Sequence, residues 1–174
     1  LTLAAARHLP AATASTRAGK WEKSRFMGRE LAGKTLGIIG TGNIGTLVVE
    51  RFQGLKMHIL AFDPFISKQR ADEMGIELAE TLEVFWPRID FLTVHTPLTT
   101  KTRHIVNAAA FDKMKEGVVV VNAARGGIID EKALYDALKS GKVYAAGLDV
   151  FEEEPARDNP LFEFDNVVFA PHLG

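Results

Sequence analysis

The sequence predicts an α/β fold, a doubly wound parallel sheet with helices on both faces. Short apolar runs rich in β-branched residues alternate with longer segments of helical periodicity, which is the pattern of consecutive βαβ units. A length of 174 residues and a hydrophobic content of 47% suit one globular domain with a sizeable core. No internal repeat or low-complexity tract interrupts the alternation. The order βαβ is therefore expected throughout the chain.

The strands are predicted from their β-branched or aromatic residues and from the Gly, Pro or Asp at their ends. They cover residues 35–39, 58–62, 91–95, 118–122, 145–150 and 167–170. Between them, an apolar helical face is formed over 43–52 by Ile44, Leu47, Val48 and Phe52, and over 131–139 by Leu134 and Leu138. Residues 1–14 are predicted to form a separate leading helix, and 19–33 a polar loop that carries Trp21 and Phe26.

Composition excludes several classes of partner. A formal net charge of -1 and a pI near 6.6 leave no basic surface for nucleic acid or anionic lipid. The sequence has no cysteine, which excludes disulfides and thiolate metal sites, and no apolar stretch long enough to span a bilayer. We therefore expect a soluble cytoplasmic protein without a metal site that acts on a small molecule.

The two ends of the sequence predict its domain organisation. It begins at Leu1 rather than at Met, shows no signal-peptide charge pattern, and stops at Gly174 shortly after His172. Residues 1–174 are therefore predicted to be one domain excised from a longer chain.

A glycine-rich turn, Gly40-Thr41-Gly42-Asn43-Ile44-Gly45, follows the first predicted strand and opens the next helix. In this context the spacing is the dinucleotide fingerprint of a Rossmann-type fold. Gly40 permits the tight turn, Gly42 lets backbone N–H groups approach a pyrophosphate, and Gly45 lets the helix close onto the strand. The alternative is a turn that only packs the strand against the helix.

Asp63 ends the second predicted strand. A carboxylate at this place accepts hydrogen bonds from both hydroxyls of an adenosine ribose and repels a 2′-phosphate, which favours NAD over NADP. The alternative is that Asp63-Pro64 only terminates the strand as a turn.

Val94-His95-Thr96-Pro97-Leu98 lies at the carboxyl end of the third predicted strand. Ligands of open α/β sheets bind beyond such ends, so the Thr96 hydroxyl is a candidate contact for the adenosine half of a dinucleotide. His95 could equally be a hydrogen-bonded structural histidine, and no catalytic role is assigned to it.

Arg125 follows the next strand, within Asn122-Ala123-Ala124-Arg125-Gly126-Gly127. Small residues let the backbone approach a flat ring, and a guanidinium holds a carboxylate through two parallel hydrogen bonds. A solvated loop arginine before a helix is the alternative.

Glu154 and His172 are the last two candidates, in the loops after the final two predicted strands. A carboxylate beside an imidazole raises the pKa of the imidazole and fixes its tautomer, which produces an acid/base group that works near neutral pH. The spacing does not establish that the two side chains meet. Without that contact, Glu154 belongs to a charged loop and His172 has a structural role.

Several segments together resemble the D-2-hydroxyacid dehydrogenase family: 34–45, Asp63-Pro64, 94–98, 122–131, 148–155 and 171–174. The resemblance covers essentially the whole chain. It implies a Rossmann-type NAD-binding domain inserted into a substrate domain, which is absent here. Two positions depart from the family pattern, since Phe62 stands where Tyr is frequent and Asn43 where a basic residue is frequent.

The same resemblance implies a role for each candidate residue. Arg125 would anchor the substrate carboxylate and carbonyl oxygen, His172 would exchange the hydroxyl proton, and Glu154 would pair with His172. Towards NAD, Asn43 and Ile44 would face the pyrophosphate, Asp63 the ribose and Thr96 the adenosine side. Ala123 and Arg125 would lie near the nicotinamide, and Asp149 near its carboxamide.

Residues 6–28 and the residues of the later motifs resemble in particular those members of the family that act on 3-phospho-D-glycerate. This is therefore the substrate that the resemblance implies. The resemblance also implies a homo-oligomer paired through the leading helix and the loop around Trp21. One alternative is another enzyme of the family, such as a glyoxylate or hydroxypyruvate reductase, which would use the same site residues. A second is an NADH-sensing corepressor of the same fold that binds a peptide.

Overall fold

Seven parallel strands form a single sheet in the computed structural model, which describes residues 1–174. They are β1 (Thr35–Ile39), β2 (His58–Phe62), β3 (Glu77–Leu78), β4 (Phe91–Val94), β5 (Val118–Asn122), β6 (Val143–Leu148) and β7 (Val167–Phe169). Their order across the sheet is β3-β2-β1-β4-β5-β6-β7. The direction of winding therefore reverses between β1 and β4, which is where ligands of such sheets bind.

Seven α-helices accompany the sheet. They are α1 (Thr2–Ala6), α2 (Leu9–Arg17), α3 (Asn43–Gly54), α4 (Lys68–Glu73), α5 (Leu82–Phe85), α6 (Ala108–Lys113) and α7 (Glu131–Ser140). Short 3₁₀ helices cover Lys23–Phe26, Trp86–Arg88 and Pro160–Glu163. None of the helices has the length and apolar character needed to cross a bilayer.

Two apolar clusters cover opposite faces of the sheet, as the doubly wound prediction requires. Because neighbouring residues of a strand point to opposite faces, Ile38 and Ile39 belong to different clusters. In the same way, Val119 packs with one cluster and Val120 with the other. The predicted fold class is confirmed.

The strand predictions differ from the structure mainly at the ends. The boundaries of β1, β2 and β5 are as predicted, whereas β4 ends at Val94, β6 runs from Val143 to Leu148, and β7 ends at Phe169. The edge strand β3 was missed because its two residues are too few to show an alternating pattern.

The apolar face predicted for α3 was partly wrong. Ile44 and Leu47 are exposed, and the inward residues are Gly45 and Val49, with Val48 and Phe52 half-buried. A Cβ on Gly45 would collide with the carbonyl oxygen of Gly40, so this residue must face the turn. At about 100° per residue, that rotation places residues 44 and 47 outside the contact with the sheet.

The leading segment forms two helices instead of one. His8 lies between them with φ 50°, and Pro10 stands in the first turn of α2. Proline lacks the N–H that a continuous helix would use and disfavours helical geometry in the residue before it, so the chain restarts. Ala5 and Ala6 of α1 are fully buried and pack with the sheet residues.

The helix α7 has the predicted inward face and a capped beginning. Leu134 and Leu138 are buried, as predicted. The Asp130 carboxylate accepts a hydrogen bond from the Ala133 N–H, and Gly141 ends the helix with φ 82°. The helix therefore provides a rigid support for the loops at its amino end.

Candidate active site

The carboxyl ends of β5, β6 and β7 bring three candidate loops to one edge of the sheet. At the ends of these strands, the Asp149 N–H donates to the Asn122 carbonyl at 2.9 Å, and the His172 N–H donates to the Asp149 carbonyl at 2.8 Å. Because these strands are adjacent and parallel, the loops with Arg125, Glu154 and His172 leave the same edge.

His172 and Glu154 form the pair that the spacing left open. The His172 Nδ1 lies 2.8 Å from the Glu154 Oε2, with 43% and 36% of the two side chains exposed. Donation from Nδ1–H to the carboxylate leaves Nε2 as the ring nitrogen with a free lone pair. His172 can then accept a proton at Nε2 from a molecule bound at this edge.

Glu154 is held by a second hydrogen bond and stays charged. Its Oε1 accepts the Phe151 backbone N–H at 3.0 Å. The hydrogen bond with His172, followed by that with Phe151, lowers the pKa of Glu154 below its ordinary value. The carboxylate is therefore ionised through the neutral range.

Asp149 holds the segment that carries His172. This residue is 3% exposed, its Oδ1 accepts the Leu173 N–H at 2.8 Å, and its Oδ2 accepts the Gly174 N–H at 2.7 Å. The family resemblance implies for Asp149 only a contact with the nicotinamide carboxamide, and this second contact was missed. Nothing in the sequence pattern indicates it, because the partners are backbone groups of a distant segment.

Asn122 shapes the loop of Arg125 and was also missed as a site residue. The residue is 2% exposed, and its side chain accepts the Ala124 N–H at 3.0 Å and donates to the Arg125 carbonyl at 2.9 Å. A polar residue that ends the otherwise apolar strand β5 was the available signal. Arg125 itself is exposed, and its guanidinium donates to the Ala124 carbonyl at 2.6 Å, which leaves further N–H groups for a ligand.

The glycine turn has the shape that a pyrophosphate requires. Gly40 has φ 91°, and a Cβ there would lie 2.6 Å from the His95 carbonyl oxygen. By contrast, nothing lies within 4 Å of a Cβ built on Gly42. Gly42 therefore faces open space directly before the first residue of α3, Asn43, where backbone N–H groups and the helix dipole attract an anion.

Asp63 lies against this turn. Its Oδ2 accepts the backbone N–H of Thr41 at 2.7 Å and the Thr41 hydroxyl at 2.8 Å, while its Oδ1 accepts the Phe65 N–H at 2.9 Å. The hydrogen bond with Phe65 forms the turn that was the alternative role of Asp63-Pro64. The hydrogen bonds with Thr41 place the same carboxylate beside the glycines. The two interpretations of Asp63 are compatible in one conformation.

The Thr96 hydroxyl has no hydrogen-bond partner in the protein, although its Oγ1 is buried. His95, next to it, lies 3.0 Å from the Thr93 hydroxyl, and burial lowers the pKa of His95, which favours a neutral structural histidine. An unpaired buried hydroxyl and the open space at Gly42 fit a dinucleotide along this edge.

A cleft of about 550 Å³ adjoins the paired side chains of Glu154 and His172. Apolar groups form most of its wall, including the rings of Phe151, Phe162 and Phe169. The imidazole and carboxylate therefore lie at the border of a largely apolar cleft.

Residues 1–174 match the family model of the D-isomer specific 2-hydroxyacid dehydrogenase, NAD binding domain. The chain belongs to this family. It is 55% identical over 174 residues to D-3-phosphoglycerate dehydrogenase of Methanocaldococcus jannaschii, covering 100% of this chain and 33% of that relative. It is 51% identical over 177 residues to hydroxypyruvate reductase of Thermotoga maritima, covering 100% of this chain and 56% of that protein.

A solved structure of a glyoxylate reductase from Paecilomyes thermophila has a TM-score of 0.91 and 36% identity, over 99% of this chain and 52% of the other. The chain spans about a third of the length of the curated phosphoglycerate dehydrogenases it matches, each covered to 33%. Membership of the D-2-hydroxyacid dehydrogenase family confirms the Rossmann-type fold and NAD as the cofactor.

Proposed function

We propose that this chain is the NAD-binding domain of a D-3-phosphoglycerate dehydrogenase. The complete protein would oxidise 3-phospho-D-glycerate to 3-phosphohydroxypyruvate, the first step towards serine. The hydrogen bond of 2.8 Å between His172 and Glu154 supports the chemistry, because it provides an oriented base at the sheet edge that binds NAD. The 55% identity to a relative named D-3-phosphoglycerate dehydrogenase supports the substrate.

In this proposal three side chains act on the substrate. The Nε2 of His172 takes the hydroxyl proton, and the Glu154 carboxylate stabilises the imidazolium that results. Arg125 binds the substrate carboxylate with its planar fork and polarises the oxygen that becomes a carbonyl. NAD, when bound, supplies the acceptor for the hydride of the carbinol carbon.

The residues proposed to hold NAD lie along the same edge. Gly40, Gly42 and Gly45, with the backbone of Asn43 and Ile44, would cradle the pyrophosphate. Asp63 would bind the ribose and Thr96 the adenosine side. Ala123, Arg125 and Asp149 would lie at the nicotinamide.

The proposed organisation places residues 1–174 in a longer cytoplasmic chain whose substrate domain supplies the remaining contacts with the phosphate. We also propose a homo-oligomer that pairs through the leading helices and the loop around Trp21. In support, Leu3, Leu9 and Trp21 are exposed, Trp21 to 88%, although all three are large and apolar.

A hydroxypyruvate reductase is the second candidate, favoured by the 51% identity to the Thermotoga maritima protein. The experiment is a substrate panel with the complete protein: 3-phosphoglycerate and D-glycerate with NAD, and hydroxypyruvate and glyoxylate with NADH. The proposal expects the highest kcat/KM for 3-phosphoglycerate. Preference for a substrate without phosphate supports the reductase instead, and peptide binding without turnover supports a corepressor.

Replacing Asp63 by alanine is expected to weaken NAD binding. Loss of charged hydrogen bonds to the ribose costs roughly 1.5 to 3 kcal/mol, which is about tenfold to 150-fold in Kd. The unmodified protein should bind NADP far more weakly than NAD, and the difference should shrink in Asp63→Ala as the charge repulsion disappears. Calorimetric titration with both cofactors measures this.

A matched control is Asp72→Ala, which removes an exposed carboxylate from α4. Equal affinities for NAD and NADP in the unmodified protein would contradict the role given to Asp63.

Replacing Glu154 by glutamine is expected to lower kcat of the complete protein, by less than the loss of His172 itself. The pKa of Glu154 is lowered by its hydrogen bond with His172, so the carboxylate is charged at neutral pH and stabilises the imidazolium that forms when Nε2 takes the substrate proton. Glutamine can still accept the hydrogen bond from Nδ1–H but carries no charge. Steady-state kinetics of both proteins measure the loss, and equal kcat values would show that the pair does not act in catalysis.

A further inference from the structure

Glu131, the first residue of α7, and Glu152, in the loop that carries Glu154, form a reciprocal contact. The Glu152 backbone N–H donates to the Glu131 Oε1 at 2.6 Å. In return, the Glu131 backbone N–H donates to the Glu152 Oε1 at 3.1 Å. The first residue of α7 is thereby tied to the start of the loop that carries Glu154.

The second carboxylate oxygen of Glu131 holds the other end of that loop. The side chain of Asn159 donates to the Glu131 Oε2 at 2.6 Å, and Asn159 also accepts the Leu161 N–H at 2.9 Å, where it begins a 3₁₀ helix. One carboxylate therefore binds residues 152 and 159, the two ends of the loop that contains Glu154.

Apart from the hydrogen bonds of Glu154, two side chains hold this loop: the Glu152 Oε1 lies 3.0 Å from the His104 Nε2, and Ala156 packs against the core. Residues 152–155, 157 and 158 are exposed, and only Ala156 between them is half-buried. The hydrogen bond of Glu154 with His172 joins two partly exposed groups, and such contacts are weak unless the backbone already holds the partners in place. The rigid anchor is α7, which is fixed in the core by Leu134 and Leu138.

We propose that Glu131 is a positioning residue that fixes the loop 152–159 so that the Glu154 carboxylate meets the imidazole of His172. The inference rests on the proposed function for its effect on turnover. Glu131 touches neither substrate nor cofactor in this account, and acts through Glu154.

The test compares variants of the complete protein. Glu131→Ala removes both acceptor oxygens, and Glu131→Gln keeps one carbonyl oxygen that can still accept the Glu152 N–H. Asp136→Asn, on the exposed side of the same helix, is the matched control. We expect Glu131→Ala to lower kcat by about tenfold to a hundredfold, the cost of a misplaced catalytic group, with KM and the Kd for NAD almost unchanged. Glu131→Gln should lose less, and Asp136→Asn nothing.

A second comparison separates positioning from a general loss of structure. Introduced into Glu154→Ala, the change Glu131→Ala should lower kcat no further, because the group that it positions is already gone. A further loss in that background, or an equal loss of NAD affinity, would overturn the inference.

Hydrogen exchange gives a readout that needs no turnover. The backbone amides of residues 151–159 should exchange faster in Glu131→Ala than in the unmodified protein or in Asp136→Asn. Unchanged exchange would overturn the inference whatever the substrate. If hydroxypyruvate is reduced while 3-phosphoglycerate is not oxidised, the proposed substrate fails and the kinetic comparison is made with hydroxypyruvate instead.

Discussion

Replacing His172 by alanine is expected to lower kcat of the complete protein by about two to four orders of magnitude, the contribution of a positioned acid/base group. Nε2 of His172 is the only nitrogen of the pair free to take the substrate proton, because Nδ1 is bonded to Glu154 at 2.8 Å. The Kd for NAD should change little, since the glycine turn and Asp63 lie on other strands. Steady-state kinetics and calorimetric titration measure the two quantities.

The matched control is His58→Ala. This exposed histidine is the first residue of β2 and lies at the amino ends of the strands, whereas the site lies at their carboxyl ends. It should leave kcat unchanged. A loss of less than about tenfold in His172→Ala would mean that another group exchanges the proton.

Replacing Arg125 by lysine is expected to lower kcat/KM by about a hundredfold to a thousandfold, the cost of removing a donor aimed at developing charge. Lysine keeps the positive charge but cannot form the planar pair of hydrogen bonds with a carboxylate. The loop of Arg125 is held by Asn122 and by close packing of Gly126 against the Phe151 carbonyl, so the backbone should remain in place.

Arg70→Lys is the control, since this exposed arginine of α4 pairs only with Glu73 on the same helix. Arg125→Gln should be at least as impaired as Arg125→Lys. If Arg125→Lys retained nearly full kcat/KM with 3-phosphoglycerate, a point charge would suffice, and the bidentate role of Arg125 would be wrong.

The sequence predicts those parts of the site that lie in motifs of fixed spacing. The spacing of the glycine turn and its place between a strand and a helix together indicate a dinucleotide site. The pairing of His172 with Glu154 was open on sequence alone, and the adjacency of β6 and β7 accounts for it physically.

The supporting contacts were not predictable in the same way. Thr41 holds Asp63, and Asp149 holds the backbone of Leu173 and Gly174. Each joins a side chain to a partner more than 20 residues away, and no periodicity of the sequence records such a contact. The error at Ile44 has a related cause, since the close approach of Gly45 to Gly40 sets the rotation of α3.

The central claim is that hydride passes from a D-2-hydroxy acid to NAD at the edge where His172, Glu154 and Arg125 lie. The most direct measurement is turnover of 3-phospho-D-glycerate deuterated at its carbinol carbon by the complete protein, followed by mass spectrometry of the nicotinamide product. The account predicts NADH that carries one deuterium per turnover, none from the L enantiomer, and loss of the product in His172→Ala. NADH without deuterium, or equal product from the two enantiomers, would contradict it.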